Sequence, residues 1–214
     1  MLKNGFSTRI AAAALFLSAL SIGAAQQPPA QPDAKPDAKQ LEIQRIAAEV
    51  HKRIVTLPEY GVFDDINFGI KGSTVILRGK ASRPTLKSGI ENVVKKVEGV
   101  ATVDNEIEVL PFSPNDDRIR AGVYRAIYRY PALQRYTSNR GPRLGPSVAR
   151  MAGGITNDPP IGYHAIHIIV QNGNVTLAGV VDSEADLSIA EMRANFVPGV
   201  FSVQNQLQVA GKGK

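Results

Sequence analysis

Few residues of this chain have the types and spacing that a reactive or metal-binding site requires. The chain has 214 residues, three histidines and no cysteine, which excludes thiolate catalysis, disulfides and cysteine-ligated zinc or iron–sulfur sites. His164 and His167 lie at or beside an expected strand, where side chains separated by an odd number of residues point to opposite faces. We therefore expect no bound metal and no cofactor.

Two pairs of adjacent aspartates are the remaining candidates for acid–base chemistry. Asp64–Asp65 and Asp116–Asp117 stand at expected cap or turn positions, without a histidine or a glycine-rich phosphate loop close by in the sequence. The sequence also contains no Gly-x-Ser-x-Gly elbow, no P-loop and no HExxH motif. We expect the aspartates to cap helices and the protein not to be an enzyme.

The sharpest chemical pattern lies on a predicted helix that Pro131 ends. At about 100° per residue, Ile119, Val123, Ile127 and their neighbours form the stripe that faces the core. The residues that we predict to contact a lipid or a protein partner lie outside that stripe: Arg118, Tyr124, Arg125, Tyr128 and Arg129. Arginine forks match phosphate oxygens, and tyrosine suits a membrane interface. The alternative is a solvated face whose tyrosines pack on a neighbouring domain.

Charge and the N-terminus both bear on the partner. The net charge is +6, and residues 111–214 carry eleven basic against seven acidic side chains, which favours anionic partners. Residues 1–25 read as a secretory signal peptide with a basic start, an apolar stretch and small residues at its end. Residues 26–40 read as a Pro/Ala/Gln-rich linker. We expect a periplasmic or secreted protein without a lipoprotein cysteine, and no nucleic-acid partner.

An internal repeat organises the rest of the chain. Residues 66–109 and 166–209 align without a gap, and 12 of 44 positions are identical. Each copy follows a helical pattern and itself reads strand, turn, strand, helix, strand. We predict an α+β protein of two tandem α-β-β-α-β modules, each a three-stranded sheet covered by two helices. Module 1 spans 41–110 and module 2 spans 114–210.

Module 2 carries an insertion at about 134–160. The proline that ends its first helix lies 35 residues before the first strand, against eight residues in module 1. Loops of this length are either functional or disordered. The density of glycine and proline favours disorder.

Two polar and two glycine positions recur in both copies. Asn105 and Asn205 interrupt the apolar face of the last strand, and we expect their side chains to bond backbone at an irregularity there. Gly79 and Gly179 end the second strand, where a close backbone approach or a bulge is expected.

The repeated pattern x-V-x-L-x-G, then a helix, then G-V-x-x-V-x-N-x-(I/L)-x-V resembles the BON domain. The residues that carry the resemblance are Val75, Leu77, Gly79, Gly99, Val100, Val103, Asn105, Ile107 and Val109, with their copies 100 residues later. The resemblance implies a non-enzymatic periplasmic module connected with envelope integrity and osmotic-stress tolerance. It also implies contact with an anionic phospholipid membrane surface through the second domain. The alternative is a protein-interaction or scaffold module of the periplasm that does not bind lipid directly.

Overall fold

The computed structural model describes residues 37–138 and 147–211. The predicted signal peptide, and the predicted linker up to residue 36, lie outside the described residues. The helices are α1 (Ala38–Val55), α2 (Pro84–Val94), α3 (Pro114–Tyr128), α4 (Val148–Asn157) and α5 (Glu184–Asn195), with a 3-10 helix at Pro131–Tyr136. The strands are β1 (Asp65–Lys71), β2 (Thr74–Ala81), β3 (Thr102–Asn105), β4 (Glu108–Val109), β5 (Ile166–Gln171), β6 (Asn174–Val181) and β7 (Ser202–Val209).

Each module is a mixed sheet covered by two helices. In module 1, β1 pairs antiparallel with β2, and β2 pairs in parallel with β3 and then with β4. In module 2, β5 pairs antiparallel with β6, and β6 pairs in parallel with the single long strand β7. The α+β class with two tandem modules is therefore confirmed.

The repeated asparagines hold the last strand of each sheet to the preceding helix. Asn105 Nδ2 donates to the Lys87 carbonyl oxygen at 3.2 Å and to a Glu91 carboxylate oxygen at 2.9 Å, and Asn105 Oδ1 accepts from the Ile107 N–H at 3.3 Å. Asn205 makes the same three bonds 100 residues later. The structural role predicted for both residues is confirmed.

The repeated glycines permit the first two strands of each module to approach closely. Gly79 and Gly179 have φ angles of 115° and 121°, values that residues with a side chain rarely adopt. A Cβ atom at either position would collide with a backbone carbonyl, that of Asp65 or of Ala165. The predicted close backbone approach is confirmed.

The two modules are joined through a loop of module 1 that enters the core of module 2. Val62 and Phe63, between α1 and β1, are buried among residues of module 2. The Phe63 ring stands edge-on to the Tyr124 ring, with centroids 6.2 Å apart. The Val62 carbonyl oxygen accepts from the Ile168 N–H at 2.7 Å. Because these contacts take residues of one module into the core of the other, the modules pack as one body.

The first aspartate pair fixes this loop instead of capping a helix. Asp64 is buried, and its carboxylate accepts from the Gly61 N–H at 2.9 Å and from the Ser82 N–H at 2.6 Å. The first bond lies within the loop and the second ties the loop to the end of β2, so the carboxylate fixes the loop that presents Phe63 to module 2. The expectation of a helix cap is wrong here, since α2 begins without a side-chain cap bond.

The second aspartate pair does not cap α3 either, because the side chain of Ser113 is the cap of this helix. Asp116 accepts from the Asn172 and Gly173 N–H groups at 2.9 and 2.8 Å and thereby fixes the β5–β6 turn. Asp117 forms a buried ion pair with Arg120 at 2.7 Å. The capping expectation is wrong for both residues, because the β5–β6 turn occupies the Asp116 carboxylate and Arg120 occupies that of Asp117.

The described part of the insertion contains helix α4, which packs against α3. Thr156 Oγ1 donates to the Asp117 carboxylate and accepts from Arg120 at 3.2 Å, and Gly154 lies too close to Asp117 to carry a side chain. The prediction of disorder is therefore wrong for residues 148–157, because a buried polar contact that composition does not reveal anchors them. Residues 139–146 lie outside the described part.

We expect Phe63→Ala to lower the free energy of unfolding by about 3–5 kcal/mol, because it leaves a cavity in a shared core. Urea denaturation followed by circular dichroism measures this value. Phe112→Ala is the matched control: Phe63 is 1% exposed and Phe112 is 71% exposed, so the control should change stability by less than about 0.5 kcal/mol. Equal effects of the two changes would contradict the shared core.

Candidate functional site

Three arginines lie on the solvent side of α3 and form the arginine stripe: Arg118, Arg125 and Arg129. At about 100° per residue they fall within about 40° of one another around the helix axis. All three are exposed, and within residues 37–138 and 147–211 none forms an ion pair. The structure thus places the arginines together on one face, free to meet an anion.

The two tyrosines predicted to accompany the stripe are instead fully buried. Tyr128 Oη donates to the Ile166 carbonyl oxygen at 2.6 Å and accepts from the Ile166 N–H at 3.1 Å. Tyr124 packs against Phe63 of module 1 and lies 3.0 Å from His164 Nε2. Placing Tyr124 and Tyr128 on the binding surface was therefore wrong. The alternative interpretation, that they pack on the neighbouring domain, agrees with the contact to Phe63.

The tyrosines are buried because the core-facing arc of α3 covers about half of its circumference. The sheet and α5 cover one side of this arc. The other side is covered by α4, by the segment that precedes β5, and by the loop between α1 and β1 that carries Phe63, which we call the Phe63 loop. Among the described residues, these elements leave the face with the arginine stripe to solvent.

The tyrosine–histidine contact is a neutral network. The Gly162 carbonyl can only accept, so His164 Nδ1 carries the proton of their 2.8 Å bond and Nε2 accepts from Tyr124. Burial lowers the pKa of His164 to about 4, and the Gly162 bond opposes that shift only partly. Burial likewise raises the pKa of Tyr124 and of Tyr128. These groups stay uncharged at neutral pH and serve packing.

Two exposed phenylalanines, which sequence reasoning missed, lie beside α3. Phe196 and Phe201 are 77% and 79% exposed and flank a turn, residues 197–200. That turn packs on α3, where Val197 approaches Gly122 and Gly199 approaches Ile119. The repeat contained the signal: module 1 has lysine and alanine at the corresponding positions 96 and 101.

The described residues offer no metal centre, since none of their His, Asp and Glu side chains form a group of three or more that could hold an ion. His164 and His167 do not form a ligand pair: His164 bonds Tyr124 and Gly162, while the His167 ring packs on Tyr60. No helix of this part of the chain is both long and apolar enough to cross a membrane.

Comparison with known families identifies the repeated module. The BON domain family model matches residues 42–111 and 151–211, which is more than half of the chain. The chain belongs to the BON domain family. The resemblance found in the sequence is therefore confirmed, with two tandem BON domains. Family membership supports a non-enzymatic module of the cell envelope.

A search of curated proteins gives no match. Among solved structures, the chain is similar to the C-terminal domain of CdsD, the structural protein of the type III secretion system of Chlamydia trachomatis. The two chains are 14% identical, the match covers 76% of this chain and 96% of that chain, and the TM-score is 0.23. A second CdsD structure is also 14% identical, with 79% and 95% of the two chains covered and a TM-score of 0.25.

Acid should destabilise this BON protein through His164. Below its ordinary pKa of 6.5, the unfolded chain takes up a proton that the folded chain, with a pKa of about 4, does not. The free energy of unfolding should therefore fall between about pH 6.5 and pH 4, by up to about 1.4 kcal/mol per pH unit from this residue. Urea denaturation over this range measures the slope.

His164→Gln should make that slope shallower, because the buried group no longer titrates. His51→Gln is the matched control, since His51 is exposed on α1, and it should leave the slope unchanged. An unaltered slope in His164→Gln would contradict the assignment of the acid sensitivity to this residue.

Proposed function

We propose that this protein is a non-enzymatic envelope module whose second BON domain binds an anionic phospholipid surface and thereby supports envelope integrity or osmotic-stress tolerance. The observation that carries the proposal is the arginine stripe: three exposed guanidinium groups on the solvent side of α3 that make no ion pair within residues 37–138 and 147–211. Each can make paired hydrogen bonds to phosphate oxygens.

The geometry of the stripe suits a flat surface. From Arg118 to Arg129 it extends about 16 Å along the helix, so all three guanidinium groups can reach one plane when α3 lies parallel to it. Basic residues near an anionic membrane contribute about 1 kcal/mol each. Three of them give a weak, reversible attachment that salt screens.

Phe196 and Phe201 add an apolar component at the two ends of the turn that packs on α3. Exposed large aromatic residues beside a basic face are typical of proteins that bind at the membrane interface. Their rings can enter the headgroup region while the arginines bind phosphates. This contribution, unlike that of the arginines, does not weaken with salt.

The predicted export of the chain fits this proposal, because a signal peptide would deliver the protein to the periplasm, where membrane surfaces are within reach. In this proposal the folded surface of module 2 provides the membrane contact.

Co-sedimentation of the purified protein with vesicles tests the arginine stripe. We expect binding to vesicles that contain phosphatidylglycerol and not to neutral phosphatidylcholine vesicles. Changing Arg118, Arg125 and Arg129 to Glu should weaken the binding at low salt at least about 100-fold, since roughly 3 kcal/mol of attraction is lost.

The matched control changes Lys52, Lys71 and Lys96, which are exposed in module 1, to Glu. It alters the net charge equally and should retain most of the binding if the stripe is the contact surface. If both triple variants lost the same amount of binding, the binding would depend on net charge and not on the arginine stripe. Failure of the unaltered protein to bind anionic vesicles at low salt would overturn the proposal and favour a protein partner.

A double change of Phe196 and Phe201 to Ala tests the apolar contribution. We expect the affinity for anionic vesicles to fall about tenfold or more, because two aromatic rings no longer leave water. The same relative loss should persist from low to high salt, whereas the loss in the arginine variant should shrink as salt rises. An unchanged affinity for anionic vesicles would show that Phe196 and Phe201 are not part of the contact surface.

A further inference from the structure

A cavity of about 440 Å³ lies where the two BON domains meet. Module 1 contributes the end of α1 and the loop that follows it. Module 2 contributes residues 162–165 and 167 and the end of β6. The volume falls in the range of small-molecule sites. Because the Phe63 loop fixes the two modules against each other, the cavity walls are already formed without a ligand.

All three histidines of the chain line this cavity: His51, His164 and His167. Apart from them, the described residues of the lining include no acidic or basic side chain. Burial lowers the pKa of both His164 and His167. The two buried rings are therefore neutral at pH 7, and a charged ligand would lose its hydration without gaining a countercharge.

The walls are otherwise mainly carbon. Val55, Val62, Ala165 and Val180 provide aliphatic surface, and Tyr60 provides an aromatic ring that packs on His167 with centroids 5.5 Å apart. An apolar molecule of moderate size would bury its surface against these groups.

We propose that the cavity between the BON domains binds one small, uncharged, largely apolar molecule. The site is separate from the arginine stripe and from the membrane contact proposed for it. It depends on both modules, so neither module alone would contain it.

The test uses two fluorescent probes that share one ring skeleton. N-phenyl-1-naphthylamine is uncharged, and 8-anilino-1-naphthalenesulfonate is the same skeleton with a sulfonate group. Fluorescence titration of the full protein at pH 7.5, without lipid, should give one saturable site for the neutral probe. The two probes are compared in the full-length variant with Arg118, Arg125 and Arg129 changed to Glu, because the arginine stripe would itself bind the sulfonate. The sulfonate should bind at least about tenfold more weakly, because the cavity lacks a countercharge. Tighter binding of the sulfonate, or several weak sites for the neutral probe, would overturn the proposal.

Val180→Trp places a large ring at the cavity. Val180 is 50% exposed, so the strand should tolerate the change, and circular dichroism checks that the protein stays folded. We expect the affinity for the neutral probe to fall at least about tenfold. Met192→Trp is the matched control, since Met192 is 48% exposed on α5 and outside the cavity lining. Equal affinities of the two tryptophan variants would place the probe elsewhere and overturn the proposal.

Discussion

The packing of one loop of module 1 into the core of module 2 is the constraint on which the arrangement of the protein depends. Asp64 fixes the loop through two backbone N–H groups, and the loop presents Phe63 to Tyr124. Burying the Asp64 carboxylate costs solvation free energy, and its two hydrogen bonds to backbone N–H groups compensate for that loss. The apolar contact between the modules thus rests on a polar one within the loop, and the cavity lined by the histidines exists because this loop sets the spacing of its walls.

Helix α3 shows how burial selects which of its residues remain available. Its core-facing side is covered from two directions, so the aromatic and aliphatic residues there pack and the Asp117–Arg120 pair is enclosed with them. A buried ion pair adds little net stability but strongly favours one arrangement of its partners. Here the pair orients α4 on α3 through Thr156. What remains in solvent is the face with the arginine stripe, whose guanidinium groups make no ion pair within the described part of the chain.

The fold could be predicted because the repeat carries local signals twice, and periodicity, turn residues and glycine positions agree between the copies. Tyr124 and Tyr128 were misplaced for a different reason. A helical wheel shows directions but not how many neighbours a helix has, and the second layer on α3 comes from module 1 and from the insertion, both distant in sequence. The order of α4 was missed similarly, since composition does not show that Thr156 and Gly154 meet a buried carboxylate. Phe196 and Phe201 were visible in the comparison of the copies, where aromatic residues replace lysine and alanine.

The matching asparagine networks at positions 105 and 205 have a consequence for how such a protein diverges. Each copy maintains its shape through a handful of positions: an amide that joins strand to helix, a glycine under a carbonyl and a set of apolar contacts. Outside those positions, duplication leaves each copy free to change its surface without endangering its fold. The surface of module 1 differs by the loop that packs into the core of module 2. The surface of module 2 differs by its exposed arginines and phenylalanines. The two copies therefore share one architecture and differ in the surfaces that they present.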